Sequence, residues 1–270
     1  MNLKALIKVC CPPILIRLVR WLRNKNNAFT GNYTSWAEAK KHASGYDADA
    51  IFQRVREAAL KVKRGEAIFE RDSVCFYKED YRWPALACLL SIAAEKGGKL
   101  SVLDFGGSLG SFYIQHQKFF NRLKAVRWSV IEQAHIVECG RNEFQNEKLR
   151  FYLNIDECVA NEKVDVIFLS SVLQYLESPH EMLTMLTKTK APYFLIDRTP
   201  VVVGEGDRLA IQHVPKNIFP ATLPAYIFSG RGIDVTMAKS NYVRKVSLPC
   251  KEGRQGNIDF VGILYSKETK

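Results

Sequence analysis

The chain has 270 residues, 47% of them hydrophobic and 25% charged, and a formal net charge of +11. That balance is ordinary for a soluble globular protein, with room for one large α/β domain plus extensions or for two small domains. Seven cysteines, an odd number without a CxxC pair, exclude a disulfide framework and a cysteine metal site and point to reduced thiols in the cytoplasm. The positive excess is uneven: residues 1–99 carry 18 Lys/Arg against 10 Asp/Glu, residues 100–199 carry 11 against 12, and residues 200–270 carry 10 against 6. No basic stripe with interleaved aromatics accompanies it, so nucleic acid is a disfavoured partner.

Residues 1–27 contain no acid, and the first in the chain is Glu38. Leu15, Leu18, Val19 and Leu22 recur at helical spacing, with Arg17, Arg20 and Arg23 elsewhere on the wheel. The apolar run is far short of the roughly 20 residues a spanning helix needs. The Cys10-Cys11-Pro12-Pro13 break argues against a secretory signal. This basic amphipathic segment either lies on an anionic membrane surface, giving a cytoplasmic protein at the inner membrane face, or packs its stripe on the domain.

Residues 28–95 read as a helical N-terminal extension: a polar, aromatic-bearing entry segment over 29–45, a helix over 48–63, a mixed stretch over 67–77, and a helix from Pro84 that Gly97-Gly98 stops. From residue 96 strands and helices alternate. Strands are expected at 101–105, 127–131, 150–153, 164–170 and 193–196, with helices at 112–123, 136–145 and 180–187 between them. Alternation of this kind implies an open parallel sheet with right-handed crossovers. Residues 242–248 and 258–265 form a terminal hairpin. The proline-bearing stretch 199–232 is expected to fold as a lid over an acceptor.

Ligands sit at the carboxyl ends of the strands in such a sheet. The first strand ends in Asp104 and a loop containing Gly106, Gly107, Ser108 and Gly110. Glycines let a backbone approach a ligand closely, and the following helix aims free N–H groups at the same place. The glycines do not have Gly-x-Gly-x-x-Gly spacing, and Asp104 would repel a pyrophosphate. A phosphate-free cofactor with a cationic amino-acid tail and ribose hydroxyls suits it: S-adenosylmethionine (SAM). Glu132, 22 residues past Gly110, can accept both ribose hydroxyls. After the third strand Asn154 and Ile155 are placed for adenine, although Asn154 serves equally as a helix cap. Ser170 follows the fourth strand, with Gln174 and Tyr175 as candidate acceptor contacts. Asp197 and Arg198 end the fifth. A hydroxyl acceptor needs a general base, and Asp197 and His213 are the candidates, while Arg198 can bind a phosphate or sugar acid. No metal site is expected.

On Phe29-Thr30-Gly31-Asn32-Tyr33-Thr34-Ser35-Trp36, the Leu103–Ser111 loop, Val130-Ile131-Glu132-Gln133-Ala134-His135, the Leu169–Leu176 stretch and Ile196-Asp197-Arg198-Thr199-Pro200, the chain resembles class I SAM-dependent methyltransferases. It resembles in particular a bacterial family associated with surface-polysaccharide and lipopolysaccharide biosynthesis. The resemblance implies a Rossmann-like α/β fold with a seven-stranded, mostly parallel methyltransferase sheet ending in an antiparallel hairpin. It implies that Asp104, Gly106, Gly107, Ser108 and Gly110 hold the methionine moiety, Glu132 the ribose, Asn154 and Ile155 the adenine, that Gln133 is a further cofactor contact, and that Ser170 lines the pocket. Ser108 stands where that superfamily often has glycine. The expected activity is O-methylation of a surface glycan or its lipid-linked precursor; a small-molecule methyltransferase or a non-catalytic SAM-fold binding module are the alternatives.

Overall fold

A computed structural model describes residues 28–44, 48–204, 206–214 and 221–268; the basic segment 1–27 lies outside them. The expected parallel core is present. It comprises β4 (Lys99–Phe105), β5 (Ala125–Ile131), β6 (Leu149–Tyr152), β7 (Val166–Ser170) and β8 (Tyr193–Val202), followed by the hairpin β11 (Tyr242–Gln255) and β12 (Ile258–Lys267). Across the sheet the order is β6-β5-β4-β7-β8-β12-β11, with β12 antiparallel to β8 and β11 antiparallel to β12. Chain order reverses between β4 and β7, which is the switch point where doubly wound sheets open a ligand crevice. The fold is Rossmann-like α/β.

Alternation along the strands builds two cores. Val102, Trp128, Phe168 and Leu195 face α3 (Trp83–Glu95) and α4 (Ser111–Phe120) through Leu86, Leu89, Phe112 and Phe120. Leu103, Ile167, Phe194 and Ile196 face α7 (Pro179–Thr187) and α8 (Gly230–Ala238) through Leu183, Leu186, Ile233 and Met237. Two smaller helices complete the winding: α5 (Ala134–Cys139), continued by a π-turn to Phe144, and α6 (Ile155–Asn161). Burial of both faces explains why β7, Val-Ile-Phe-Leu-Ser, is an unbroken apolar run up to its last residue.

In the main sheet three strands go beyond the seven expected. The polar, aromatic-bearing entry segment holds β1 (Phe29–Tyr33) and α1 (Trp36–His42). Within 199–232 lie β9 (Arg208–His213) and β10 (Thr222–Ser229). β1 pairs antiparallel with β9, and β9 with β10. Strand β8 also runs past Ile196, where the apolar run suggested an end. Pro200 is tolerated there because β7 stops opposite Asp197 and the end of β10 pairs only with Val201 and Val202, so that side of β8 carries no partner at Pro200. The ribbon β10-β9-β1 therefore continues the sheet just past the carboxyl end of β7, over the crevice. α2 (Ala48–Lys63) and a short hairpin, β2 (Phe69–Arg71) with β3 (Val74–Phe76), complete the front. The hairpin's two central residues, Asp72 and Ser73, both have positive φ, as a two-residue turn with the twist of its strands requires.

Candidate active site

A cavity of about 860 Å³ opens at the carboxyl ends of β4, β7 and β8. Its walls are the glycine loop, the β2–β3 hairpin, and the ribbon strands β9 and β10. Of the residues expected at the site, Asp104, Gly106, Gly107, Ser108, Ser170, Tyr175, Arg198 and His213 line it.

The glycine loop is built by close approach. A Cβ on Gly107 would overlap the Asp104 carboxylate, and one on Gly106, at φ +73°, would overlap Val172. Only hydrogen at these α-carbons lets the loop fold over the end of β4. Ser108 adopts φ +55° without being glycine, a strained conformation of the sort that concentrates at functional sites. Gly110 caps α4 at φ +84°.

Two buried carboxyls and one half-buried one surround this loop. Asp104, 2% exposed, accepts from the Trp128 indole N–H at 2.8 Å; burial pushes its pKa up from 3.8 to about 7, with the Glu132 charge adding to the rise. Glu132 accepts from the Ser108 and Gln133 amides at 3.1 and 3.0 Å, and burial raises its pKa as well. The third was not evident from sequence. Glu70, on β2 and 5% exposed, accepts from the Ser111 hydroxyl at the first turn of α4 and lines the cavity; burial lifts it to about 7. The loop's surroundings are therefore acidic and desolvated. Such a place rejects phosphate and favours a cation.

Several expected assignments are corrected. Asp197 is not free to act as a base: it is 3% exposed and receives both Nε and Nη2 of Arg82 at 3.0 Å, with Ser170 Oγ donating to it at 3.2 Å. Arg198 is not an open anion receptor, because its Nε meets Glu252 at 2.7 Å and its Nη2 meets Asp72 at 2.8 Å. Burial opposes its charge, yet these two carboxylates outweigh burial and raise its pKa. Gln174 is 1% exposed, donates to Ser171 Oγ at 3.1 Å and does not line the cavity. Asn154 caps α6, its Oδ1 accepting from the Glu157 amide at 2.8 Å. Asn154, Ile155, Glu132 and Gln133 lie at the ends of β5 and β6, beyond the cavity lining.

Tyr175 and His213 are among the residues that line the cavity. Tyr175 donates its hydroxyl to Gln212 at 2.8 Å, and both line the cavity. His213 Nε2 lies 2.7 Å from Thr30 Oγ1, so the pairing of β1 with β9 orients the ring. Among the described residues no cluster of His, Cys, Asp or Glu has metal-site geometry, and no helix is long and apolar enough to cross a membrane.

No protein-family model matches the chain, and no curated protein matches it in sequence. Similar solved structures include the 1,6-didemethyltoxoflavin-N1-methyltransferase of Burkholderia thailandensis, crystallised with 1,6-didemethyltoxoflavin and S-adenosylhomocysteine. It is 15% identical, covers 89% of this chain and 93% of its own, and has a TM-score of 0.46. The N-terminal domain of EvdMO1, in the presence of S-adenosylhomocysteine and D-fucose, is 11% identical over 83% of this chain and 98% of its own, with a TM-score of 0.49. An S-adenosylmethionine-dependent methyltransferase from Clostridium acetobutylicum is 10% identical over 81% and 99%, with a TM-score of 0.48.

Proposed function

We propose that the protein is a SAM-dependent methyltransferase acting on a hydroxyl of a glycan or of its lipid-linked precursor. The observation that carries this reading is the ring of Asp104, Glu132 and Glu70 around a glycine loop at the switch point of the sheet. A glycine loop alone suits many nucleotides; three desolvated carboxyls restrict it to one that brings positive charge and no phosphate. When bound, SAM supplies the electrophilic methyl group.

The loop amides and the start of α4 suit the methionine carboxylate. Asp104 and Glu70 suit the ammonium. Glu132, fixed by the Ser108 and Gln133 amides, is the acid for the ribose hydroxyls. His213 is the proton acceptor: in the tautomer whose Nε2–H donates to Thr30, its Nδ1 is the ring atom left to take the acceptor's hydroxyl proton as the new C–O bond forms. The ribbon β10-β9-β1 acts as the acceptor lid, which would exclude water while alignment supplies most of the rate. Residues 1–27, with their basic amphipathic pattern, would hold the enzyme at an anionic membrane surface near a lipid-linked acceptor.

The test is transfer of labelled methyl from SAM into cell-derived glycan and lipid-linked fractions. His213→Gln is expected to lower kcat by about 10²- to 10⁴-fold while SAM affinity holds. Labelled methyl reaching neither fraction, with SAM bound normally, would overturn the acceptor assignment.

A further inference from the structure

Three guanidinium groups line the cavity, and two of them are paired with carboxylates. Arg82 is held by Asp197, and Arg198 by Glu252 and Asp72. Arg71, at the end of β2, differs. Its Nη2 is buried and has no hydrogen-bond partner. The carboxylate beside it, Asp80, stands 3.9 Å away and also pairs with Lys251. The Arg71 guanidinium carbon lies 5.4 and 5.6 Å from the rings of Phe69 and Phe76, which are stacked 4.6 Å apart. Aromatic backing of this kind holds the planar group in one orientation.

A second atom on the same wall is also unpartnered. Glu252 Oε1 takes both Arg198 and Arg82, but its Oε2 is buried without a hydrogen bond. Native proteins leave few buried polar atoms unsatisfied, and each one calls for an explanation. Here an unpartnered cationic donor and an unpartnered anionic acceptor belong to residues that line one chamber. Burial and the charges of Arg198 and Arg82 make Arg71 easier to deprotonate, so an anion beside it would be stabilising.

We propose that Arg71 and Glu252 form the recognition subsite for an acidic sugar: Arg71 takes its carboxylate or phosphate, and Glu252 Oε2 accepts from a neighbouring hydroxyl. An arginine fork matches either anion, and a carboxylate oxygen matches a hydroxyl but repels an anion, so the pair reads both the charge and its orientation. This rests on the methyltransferase reading only in making the sugar the methyl acceptor.

The test is calorimetric titration of the full chain, saturated with S-adenosylhomocysteine, using D-glucuronate, D-glucose 1-phosphate and D-glucose as probes. At least one acid is expected to bind about tenfold or more tightly than glucose, and the two acids distinguish carboxylate from phosphate recognition. Arg71→Met should bring the acids to within about twofold of glucose, and Arg71→Lys should keep part of the preference. Glu252→Gln should weaken all three sugars. S-adenosylhomocysteine affinity and thermal midpoint, measured on each variant, separate loss of recognition from loss of fold. Equal binding of glucose and both acids by the wild type, no binding of either acid, or a preference that survives Arg71→Met would overturn the proposal. Failure of S-adenosylhomocysteine to bind would strike the cofactor reading instead, and the sugar titrations would still decide the subsite.

Discussion

Asp104→Asn should move stability and cofactor affinity in opposite directions. In the free protein the Asp104 carboxylate is ionised at pH 8 at the cost of its burial, reflected in a pKa raised from 3.8 to about 7. That rise is equivalent to at most about 4 kcal/mol favouring a neutral side chain. Asparagine is neutral, has the same shape, and can still accept from the Trp128 indole. The variant should therefore unfold at higher urea than the wild type at pH 8, and the difference should shrink as pH falls and vanish only below about pH 4, where the side chain is neutral in the unfolded chain as well. Binding should change the other way. Removing a charged partner from the SAM ammonium costs about 1.5–3 kcal/mol, so Kd should rise by about 10- to 150-fold. Urea melts at the two pH values and calorimetry with SAM make the check. A variant less stable than wild type at pH 8, or one that binds SAM unchanged, would refute the assignment of Asp104 as a strained cofactor ligand.

Three further outcomes follow from the same geometry. Arg82→Leu strands Asp197, which is 3% exposed, and should cost about 3–5 kcal/mol in urea melts; a loss under about 1 kcal/mol would contradict a tightly coupled buried pair. Ser108→Gly relieves a positive φ at the price of chain entropy, so unfolding free energy should hold or rise by up to about 1 kcal/mol; a clear fall would count against strain at that position. The stability contributed by Asp104, Glu70 and His116 should fall as pH rises from about 4 to about 7, because two raised carboxyls outweigh one depressed histidine. Asp104 and Glu70 hold their protons more tightly folded than unfolded, so their contribution is present at low pH and is lost as pH rises through about 7. His116 opposes them on the acid side: burial keeps it neutral with a pKa of about 4, so its contribution is lost as pH falls below about 6.5. Stability that climbs steadily from pH 6 to 8 would contradict the raised carboxyls.

The parallel core and the loop that starts it were legible because their signals are local. An apolar run ending in Asp104 and followed by small residues specifies a strand end wherever the rest of the chain lies. The ribbon was not legible. β1 finds its partner in β9, pairing Phe29 with Gln212, and Pro224 interrupts the β10 pattern, so neither strand announces itself in a short window. The same distance hid the ion pairs. Nothing near Asp197 suggests that Arg82, 115 positions earlier, occupies it, and without that partner a strand-end acid looks like a base. Glu70 was invisible for a different reason: β2 has three residues, too few to show periodicity. Asn154 illustrates an ambiguity that only geometry resolves, since an asparagine before a helix can cap it or face a ligand, and this one caps.

The central claim is that the acidic glycine-loop crevice takes a phosphate-free, cationic-tailed nucleoside. Parallel calorimetric titrations of the full chain with S-adenosylhomocysteine, ATP and NAD test it most directly. The account predicts one-to-one binding of S-adenosylhomocysteine and no binding of either phosphate-bearing nucleotide. Binding of ATP or NAD in its place would contradict it.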